Sequence, residues 1–473
     1  MFDLIVRSAT VVDPEKRTQR VADVALENGR IALVEPVISA AAREELPAEG
    51  LVLQPGVIDT HLHLTASLSS HAMTVRAGVT TAVDMAGPVG EVMAAAKVRG
   101  RGLNIAVLNA ILPEHNVKDR NPDAAQIDAF LTASLSEGAF GVKLLGGHFP
   151  LTPEASARMV RQSAERGVYM AWHAGTTEKG SNLEGLREAV ALCDGHPLHM
   201  AHLNAYCRGR VLPVLDECLE ASALLEAHPE LVTESYLSAR NGCPLGLNDD
   251  GTPKSAILAG NLRAFGFTAD LEGLRRAVLA RRLGILVPSE DDVAVVSGES
   301  GLDYFEEARA AGKPVDGSFD GVNPFAARAF FAERRRTDGS FLVDAIGTDG
   351  GGIPRNVILE SGLSLVKLGA LDAVDFAVKT SYLPSRMLGL TQKGTLAPGS
   401  DADLTIYDPV QQRAVHSFVK GQFLLRDGRA VGRGARIVCT ESGVEAVRRA
   451  GLEPVVVSGG VPTLDRRAAA GLA

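Results

Sequence analysis

The sequence predicts an α/β protein: a (β/α)8 TIM barrel with a small β-sandwich domain built from both chain ends. Three observations predict it. Between about residues 55 and 390, short apolar strands alternate with helical patterns, as repeated βα units on a parallel sheet do. Eight such strands can be placed, the number that closes a barrel. Both ends of the chain carry short strands and tight turns instead.

The barrel strands are placed at Val57–His63, Thr80–Met85, Asn104–Ile111, Gly141–Leu145, Tyr169–His173, Leu198–Leu203, Leu231–Tyr236 and Ala345–Asp349. The first follows a Pro55-Gly56 turn, and each is a short apolar run of strand length. The stretch from 237 to 344 is too long for one connection and is expected to form a cap at 240–340 over the barrel mouth. Leu271–Arg282 and Phe325–Arg336 read as helices within it. At the N-terminus, Val21–Leu26 and Arg30–Val34 flank Asn28-Gly29, a strong hairpin signal. Ala402–Tyr407, Ala414–Val419 and Phe423–Arg426, with a turn at Asp427-Gly428, form a matching set near the other end. The division that follows is 1–54 and 391–440 for the two parts of the sandwich, 55–390 for the barrel, and 441–473 for a C-terminal tail. That tail has one helical stretch, Gly443–Ala450, and an Ala/Gly-rich end expected to be loose.

Composition narrows the function. A hydrophobic share of 46% with 22% charged residues supports a large core. The net charge is -9, and Arg334-Arg335-Arg336, the longest basic run, sits in a helical stretch as a solvated face. Nucleic acid is therefore not an expected partner. Five cysteines, Cys193, Cys207, Cys218, Cys243 and Cys439, lack CxxC spacing and indicate a reducing compartment. Met1-Phe2-Asp3 lacks a basic leader, and no apolar run reaches the roughly 18 residues of a membrane span. A soluble cytoplasmic protein with a small-molecule substrate, assembled as a homo-oligomer, is the expectation.

The chemistry sits where the predicted strands end. Side chains alternate faces along a strand, so His61 and His63 point the same way with Leu62 opposite. Two imidazoles on one face can ligate a divalent metal. The fourth strand supplies Lys143, the fifth His173, the sixth His202 and the eighth Asp349. The carboxyl ends of barrel strands form the catalytic rim. A lone core histidine is usually just a hydrogen-bonded one. Four histidines, a lysine and an aspartate at separate strand ends are a far rarer coincidence. His199, three residues before His202, falls on the opposite face by alternation and is read as structural.

With these motifs the chain resembles the amidohydrolase superfamily, specifically its two-metal branch with hydantoinases, dihydroorotases and isoaspartyl dipeptidases. The resemblance runs from residue 2 to about 430. It rests on Asp3-Leu4-Ile5-Val6 with Thr10-Val11-Val12-Asp13-Pro14, on Pro55-Gly56-Val57-Ile58-Asp59-Thr60-His61-Leu62-His63, on Gly78-Val79-Thr80-Thr81, and on Gly394 through Leu404. It implies one metal held by His61, His63 and Asp349, and a second held by His173 and His202. Lys143 would bridge them as N6-carboxylysine, formed from CO2. A desolvated lysine has a lowered pKa, and its neutral amine can take up CO2. Zinc suits such ligands, and manganese, cobalt or iron also fit. The implied reaction is hydrolysis of a C–N bond in a cyclic amide or ureide, or in an N-acyl amino acid, by a metal-bridging hydroxide. Asp349 would be the catalytic base and then the acid for the leaving nitrogen.

The chain departs from the hydantoinase pattern in having only 28 residues between His173 and His202. That spacing is similar to isoaspartyl dipeptidases and N-acyl-D-amino-acid deacylases, although the deacylases generally lack the strand-four lysine. Two other readings compete. A one-metal deaminase of the same superfamily uses no such lysine and needs a glutamate close after the fifth or sixth strand, where Glu178 is the nearest. A non-enzymatic hydantoinase-like scaffold would have lost ligands, whereas all six positions are filled. Candidate substrate contacts in the βα loops are His148, Tyr206, Arg208, Ser238, Arg240, Asn241 and Arg355. Arg355 is expected to swing over the metals on a flexible Gly350-Gly351-Gly352 turn and clamp a substrate carboxylate.

Overall fold

Residues 1–472 are described by a computed structural model. All eight barrel strands are present, within a few residues of their expected bounds. They are Val57–His63, Val79–Asp84, Arg101–Ala110, Gly141–Leu145, Tyr169–His173, His199–Met200, Val232–Tyr236 and a divided eighth strand. Each pairs in parallel with the next. Closure depends on the division of the eighth: Ala345–Gly347 pairs with the seventh strand, and Gly350–Gly351 with Leu62 and His63 of the first. The expected flexible glycine turn is thus a fixed strand, because its backbone groups are taken by the first strand.

Local sequence explains the outer helices. Asp123 and Gln126 form a capping box that starts Ala124–Ser136. Thr152 caps Pro153–Glu165, with proline in the first turn, and Asn182 caps Leu183–Cys193. Their apolar faces bury Ile127, Leu131, Met159, Leu186 and Val190 against Val142, Met170 and Trp172 on the outside of the barrel.

The two chain ends meet in one nine-stranded sheet. Leu404–Asp408 pairs antiparallel with Val52–Pro55, joining the C-terminal strands to the N-terminal ones. Asn28 and Gly29 both take positive φ, 52° and 75°, as a tight hairpin turn requires. Leu4, Val6, Val24, Leu53, Ile406 and Phe418 form the core of this unit. A buried ion cluster ties it to the barrel. Lys393 Nζ lies 2.9 Å from Asp401 and 2.6 Å from Asp403, and Asp403 also accepts from Asn104 of the third strand at 2.9 Å.

Beyond the seventh strand the cap is more β-rich than expected. Cys243–Pro244, Leu283–Pro288, Val293–Val296 and Asp316–Phe319 form a four-stranded antiparallel sheet. Helices Ala256–Ala264, Leu271–Leu279 and Glu299–Ala310 cover it around Leu258, Leu274, Ile285, Phe305 and Phe319. These strands are too short to show a period-two pattern. The second expected cap helix, Phe325–Glu333, instead packs Ala327 and Phe331 into the barrel's outer core.

Two further departures lie at the C-terminus. Gly434–Cys439, placed by sequence within the 391–440 part of the sandwich, pairs in parallel with Arg101–Ala110 of the barrel, and Glu453–Val456 pairs with it in turn. Nor is the tail loose as far as residue 472. Arg466 is buried, with Nε 2.5 Å and Nη2 2.9 Å from the Asp344 carboxylate, and it also donates to the carbonyls of Pro229 and Leu231. A composition-based expectation overlooked a single arginine that neutralises a buried acid. Among the described residues no helix is long and apolar enough to cross a membrane.

Candidate metal centre and active-site cavity

The first strand delivers His61 and His63 to the same face, as alternation requires. His61 Nε2 lies 3.6 Å and His63 Nε2 3.1 Å from Asp349 Oδ1. One donor atom from each of the three lies within 4.8 Å of the others, a spacing suited to a metal ion. Asp349 sits at the break in the eighth strand with φ 52°, and its N–H donates to the His61 carbonyl at 2.7 Å. That left-handed turn is uncommon for a non-glycine residue, and the carboxylate it carries faces His61 and His63 at the cavity wall.

The fifth and sixth strands bring a second pair together. His202 Nε2 and His173 Nδ1 are 3.1 Å apart. Two nitrogens bound to one tetrahedral zinc would stand about 3.4 Å apart. His202 Nδ1 is buried without a hydrogen-bond partner, and the His202 ring stacks on His61 at 5.0 Å. Burial holds His61 and His173 well below the usual histidine range and His202 at about 3. The imidazoles are therefore neutral, the state that ligates metal.

Lys143, on the fourth strand, is fully buried between these pairs, and its Nζ contacts the Met85 thioether at 3.0 Å. No carboxylate lies within ion-pair distance among the described residues. Burial pushes its pKa down, against the pull of Glu234, Asp349 and Asp84. A buried lysine with only a thioether beside it fits the neutral amine that carboxylation requires.

Buried acids that the sequence reading missed support the rim. Glu234, on the seventh strand, accepts from His202 N–H at 2.7 Å and pairs with His61 Nδ1 at 2.6 Å. Its other oxygen has no partner. Asp59 accepts from the His61 and Thr348 backbones, each at 3.1 Å, and from the Thr348 hydroxyl at 2.5 Å. Burial pushes its pKa to about 7. Asp84 shapes the loops above the first two strands by accepting from Leu64, Ala86 and Gly87. One signal was available: a lone carboxylate inside a strand expected to be buried, as in Val232-Thr233-Glu234-Ser235-Tyr236.

His199 corrects the alternation argument. The sixth strand ends at Met200, and His202 takes φ 37° before a 3-10 turn at Leu203–Tyr206. The break restores parity, so His199 also faces inward, with Nδ1 3.1 Å from the Tyr169 hydroxyl and Nε2 3.9 Å from Glu234. It lies beneath the rim as a structural group.

The six ligand-type residues open into a cavity of about 540 Å³. His148, Arg208, Arg355 and Asn241 line it, as expected of substrate contacts, together with Arg210 and Tyr236. Ala256, Ile257, Gly260 and Asn261 of the first cap helix complete the lining, so the cap roofs the site. Three expected contacts are not brought to the lining. The Tyr206 hydroxyl is buried and accepts from Ala174 N–H at 2.8 Å, Ser238 Oγ accepts from Arg240 N–H, and the Arg240 side chain turns toward Asp320. Arg355 does not hang free. Its Nη2 lies 2.7 Å from Asp349 Oδ2, its Nε donates to the Asp349 carbonyl, and its guanidinium lies over Tyr236. Burial alone would raise the Asp349 pKa, but Arg355 and the neighbouring histidines outweigh it and hold the carboxyl well below the usual range.

Known proteins are similar to this chain in sequence and in fold. No protein-family model matches the chain. A dihydroorotase from Geobacter metallireducens is 23% identical over 437 residues, covering 86% of this chain and 90% of that protein. A dihydroorotase from Solibacter usitatus is 41% identical over 75 residues only, so the aligned part spans 16% of this chain and 17% of that relative. The crystal structure of N-acyl-D-glutamate deacylase from Bordetella bronchiseptica, complexed with zinc and a phosphonate inhibitor, superposes with a TM-score of 0.66 at 17% identity. It covers 92% of this chain and 99% of that one. Over most of its length the chain is therefore similar in sequence to dihydroorotases, and it shares its fold with N-acyl-D-glutamate deacylase.

Proposed function

We propose that this protein is a metal-dependent hydrolase of a C–N bond in a cyclic amide or ureide, or in an N-acyl amino acid. The observation that carries the reading is the convergence of His61, His63, Lys143, His173, His202 and Asp349 on one roofed cavity. The dihydroorotase and deacylase relatives support the same bond class.

The donor set fits two divalent ions: His61, His63 and Asp349 would hold one, His173 and His202 the other, with Lys143 joining them as N6-carboxylysine. Nitrogen and carboxylate ligands favour zinc and also take manganese, cobalt or iron. When bound, the ions supply a water acidified to near neutral pH and a Lewis acid for the carbonyl oxygen. The chain supplies the rest. Asp349, kept ionised by Arg355, takes the proton of the attacking water and returns it to the leaving nitrogen. Arg355 fixes that carboxylate by gripping both its side chain and its carbonyl. The first cap helix limits solvent above the reacting bond. Glu178 does not line the cavity, which disfavours the deaminase alternative.

A hydrolysis screen of zinc- or manganese-loaded protein tests this. Hydantoins, dihydropyrimidines, β-aspartyl dipeptides and N-acyl-D-amino acids are the set to use. Ring opening or deacylation is expected, and it should vanish in Asp349→Asn. Ammonia released from an aminopyrimidine or aminopurine, with every amide untouched, would overturn the reading in favour of a deaminase.

Glu234 offers a separate check. Its carboxylate fixes the His61 ring through Nδ1 and the strained His202 backbone through N–H. Such outer partners set ligand orientation and basicity. Glu234→Gln keeps the shape but replaces the carboxyl by an amide that is a weaker acceptor for His61 Nδ1 and the His202 N–H, so metal affinity measured by chelator competition should fall about 10- to 100-fold. Wild-type affinity in this variant would show that Glu234 serves packing alone.

A further inference from the structure

The charge balance of the cavity is uneven, and this points to a feature of the substrate. Resting on the hydrolase reading above, we propose that the substrate carries an acidic group, remote from the scissile bond, that is received by Arg210 and Arg208.

Three guanidiniums line the cavity, Arg208, Arg210 and Arg355, against one ordinary carboxylate, Asp349. Arg355 and Asp349 neutralise each other. Arg208 and Arg210 make no ion pair within 4.0 Å among the described residues. Both lie in the loop after the sixth strand, two residues apart, so two like charges share one edge of the cavity without an ion-pair partner among the described residues. Like charges held close repel, and a ligand anion would relieve that repulsion.

The loop is built to hold them there. Glu217 is fully buried and accepts from the backbone N–H groups of Gly209 at 2.7 Å, Val211 at 2.8 Å and Leu212 at 3.1 Å. The nearest acid to Arg210 is thereby committed to the backbone on both sides of it. Arg208 is oriented by Asn323, 2.9 Å from Nε, and by the Tyr236 hydroxyl, 2.9 Å from Nη2. Asn323 is itself tied to the Ser238 and Arg240 carbonyls. Arg210 lines the cavity as an exposed residue, and its side chain makes no hydrogen bond to protein among the described residues, so its guanidinium donors are available to a ligand. Guanidinium forks match planar oxyanions, carboxylate above all. Arg355, spent on Asp349, is not the receptor that sequence spacing suggests.

The test is binding, so it does not depend on turnover. Metal-loaded wild-type protein is titrated by calorimetry with dicarboxylates of three to seven carbons and with their monomethyl esters. At the length that spans metal site and arginines, the diacid should bind about tenfold more tightly than its monoester, the effect of one charge-assisted pair. Arg210→Gln should bring the two within about twofold, and Arg210→Lys should keep part of the preference. A matched phosphonocarboxylate identifies the group: tighter binding than the diacid would assign a phosphate-type substrate to the same subsite. No diacid preference at any length, or one untouched by Arg210→Gln, would overturn the proposal. The two readings fail separately. Hydrolysis of amides without Arg210 dependence sinks only the subsite, whereas Arg210-dependent diacid binding without C–N cleavage sinks only the hydrolase.

Discussion

Asp349→Asn is expected to lower kcat by about three to four orders of magnitude while leaving the fold intact, because proton acceptor and proton donor disappear together. The geometry makes the effect specific. Asp349 faces both first-strand histidines, and its carboxylate is held ionised by Arg355 at 2.7 Å. An amide at this position can still accept hydrogen bonds from Arg355 and the rim, but it cannot take up a proton at neutral pH. Circular dichroism should therefore match wild type, while thermal melting falls because Arg355 loses its buried charge partner. The loss should appear in kcat and kcat/KM alike, as expected for an interaction made in the transition state. Near-normal turnover would remove Asp349 from the reaction and with it the mechanism proposed above.

The second large effect concerns Lys143. Protein purified with bicarbonate and metal should hold close to two ions per chain, and Lys143→Ala should lose metal and activity together. A fully buried lysine with a thioether at 3.0 Å and no carboxylate within ion-pair distance among the described residues gives up its proton more readily than an exposed one, even against the pull of Glu234, Asp349 and Asp84. Adding short-chain carboxylic acids to the Lys143→Ala protein offers a control, since a small carboxylate can occupy the vacated space and restore part of the metal content. Mass spectrometry of the native protein near neutral pH should show the added CO2. Wild-type protein with one tightly bound ion and an unmodified Lys143 would favour a one-metal deaminase or deacylase instead.

Much of this was legible without coordinates. His61 and His63 share a face because strand side chains alternate, a property of the backbone that needs no partner. The barrel strands announced themselves as short apolar runs, since strands buried on both faces exclude polar residues. Lys143, His173, His202 and Asp349 stood out because each interrupts such a run at its carboxyl end. Asn28-Gly29 marked its hairpin, because few other pairs tolerate two positive φ angles in succession.

The remainder depended on residues far apart in the chain. Glu234 becomes a partner of His61 only when the seventh and first strands face each other across the barrel. Arg355 was read as a swinging clamp because three glycines precede it, yet Gly350 and Gly351 are fixed by hydrogen bonding to the first strand, about 290 residues earlier. His199 faces inward because the sixth strand stops at Met200 and His202 bends into a left-handed turn, with its N–H held by Glu234. Gly434–Cys439 carries the same local pattern as a sandwich strand, and only the open edge of Arg101–Ala110 decides where it pairs. Alternation, propensity and turn chemistry are local and are written in the sequence. Which buried charge meets which partner is set by the closed barrel, because burial makes an unpartnered charge costly and the partners come from any part of the chain.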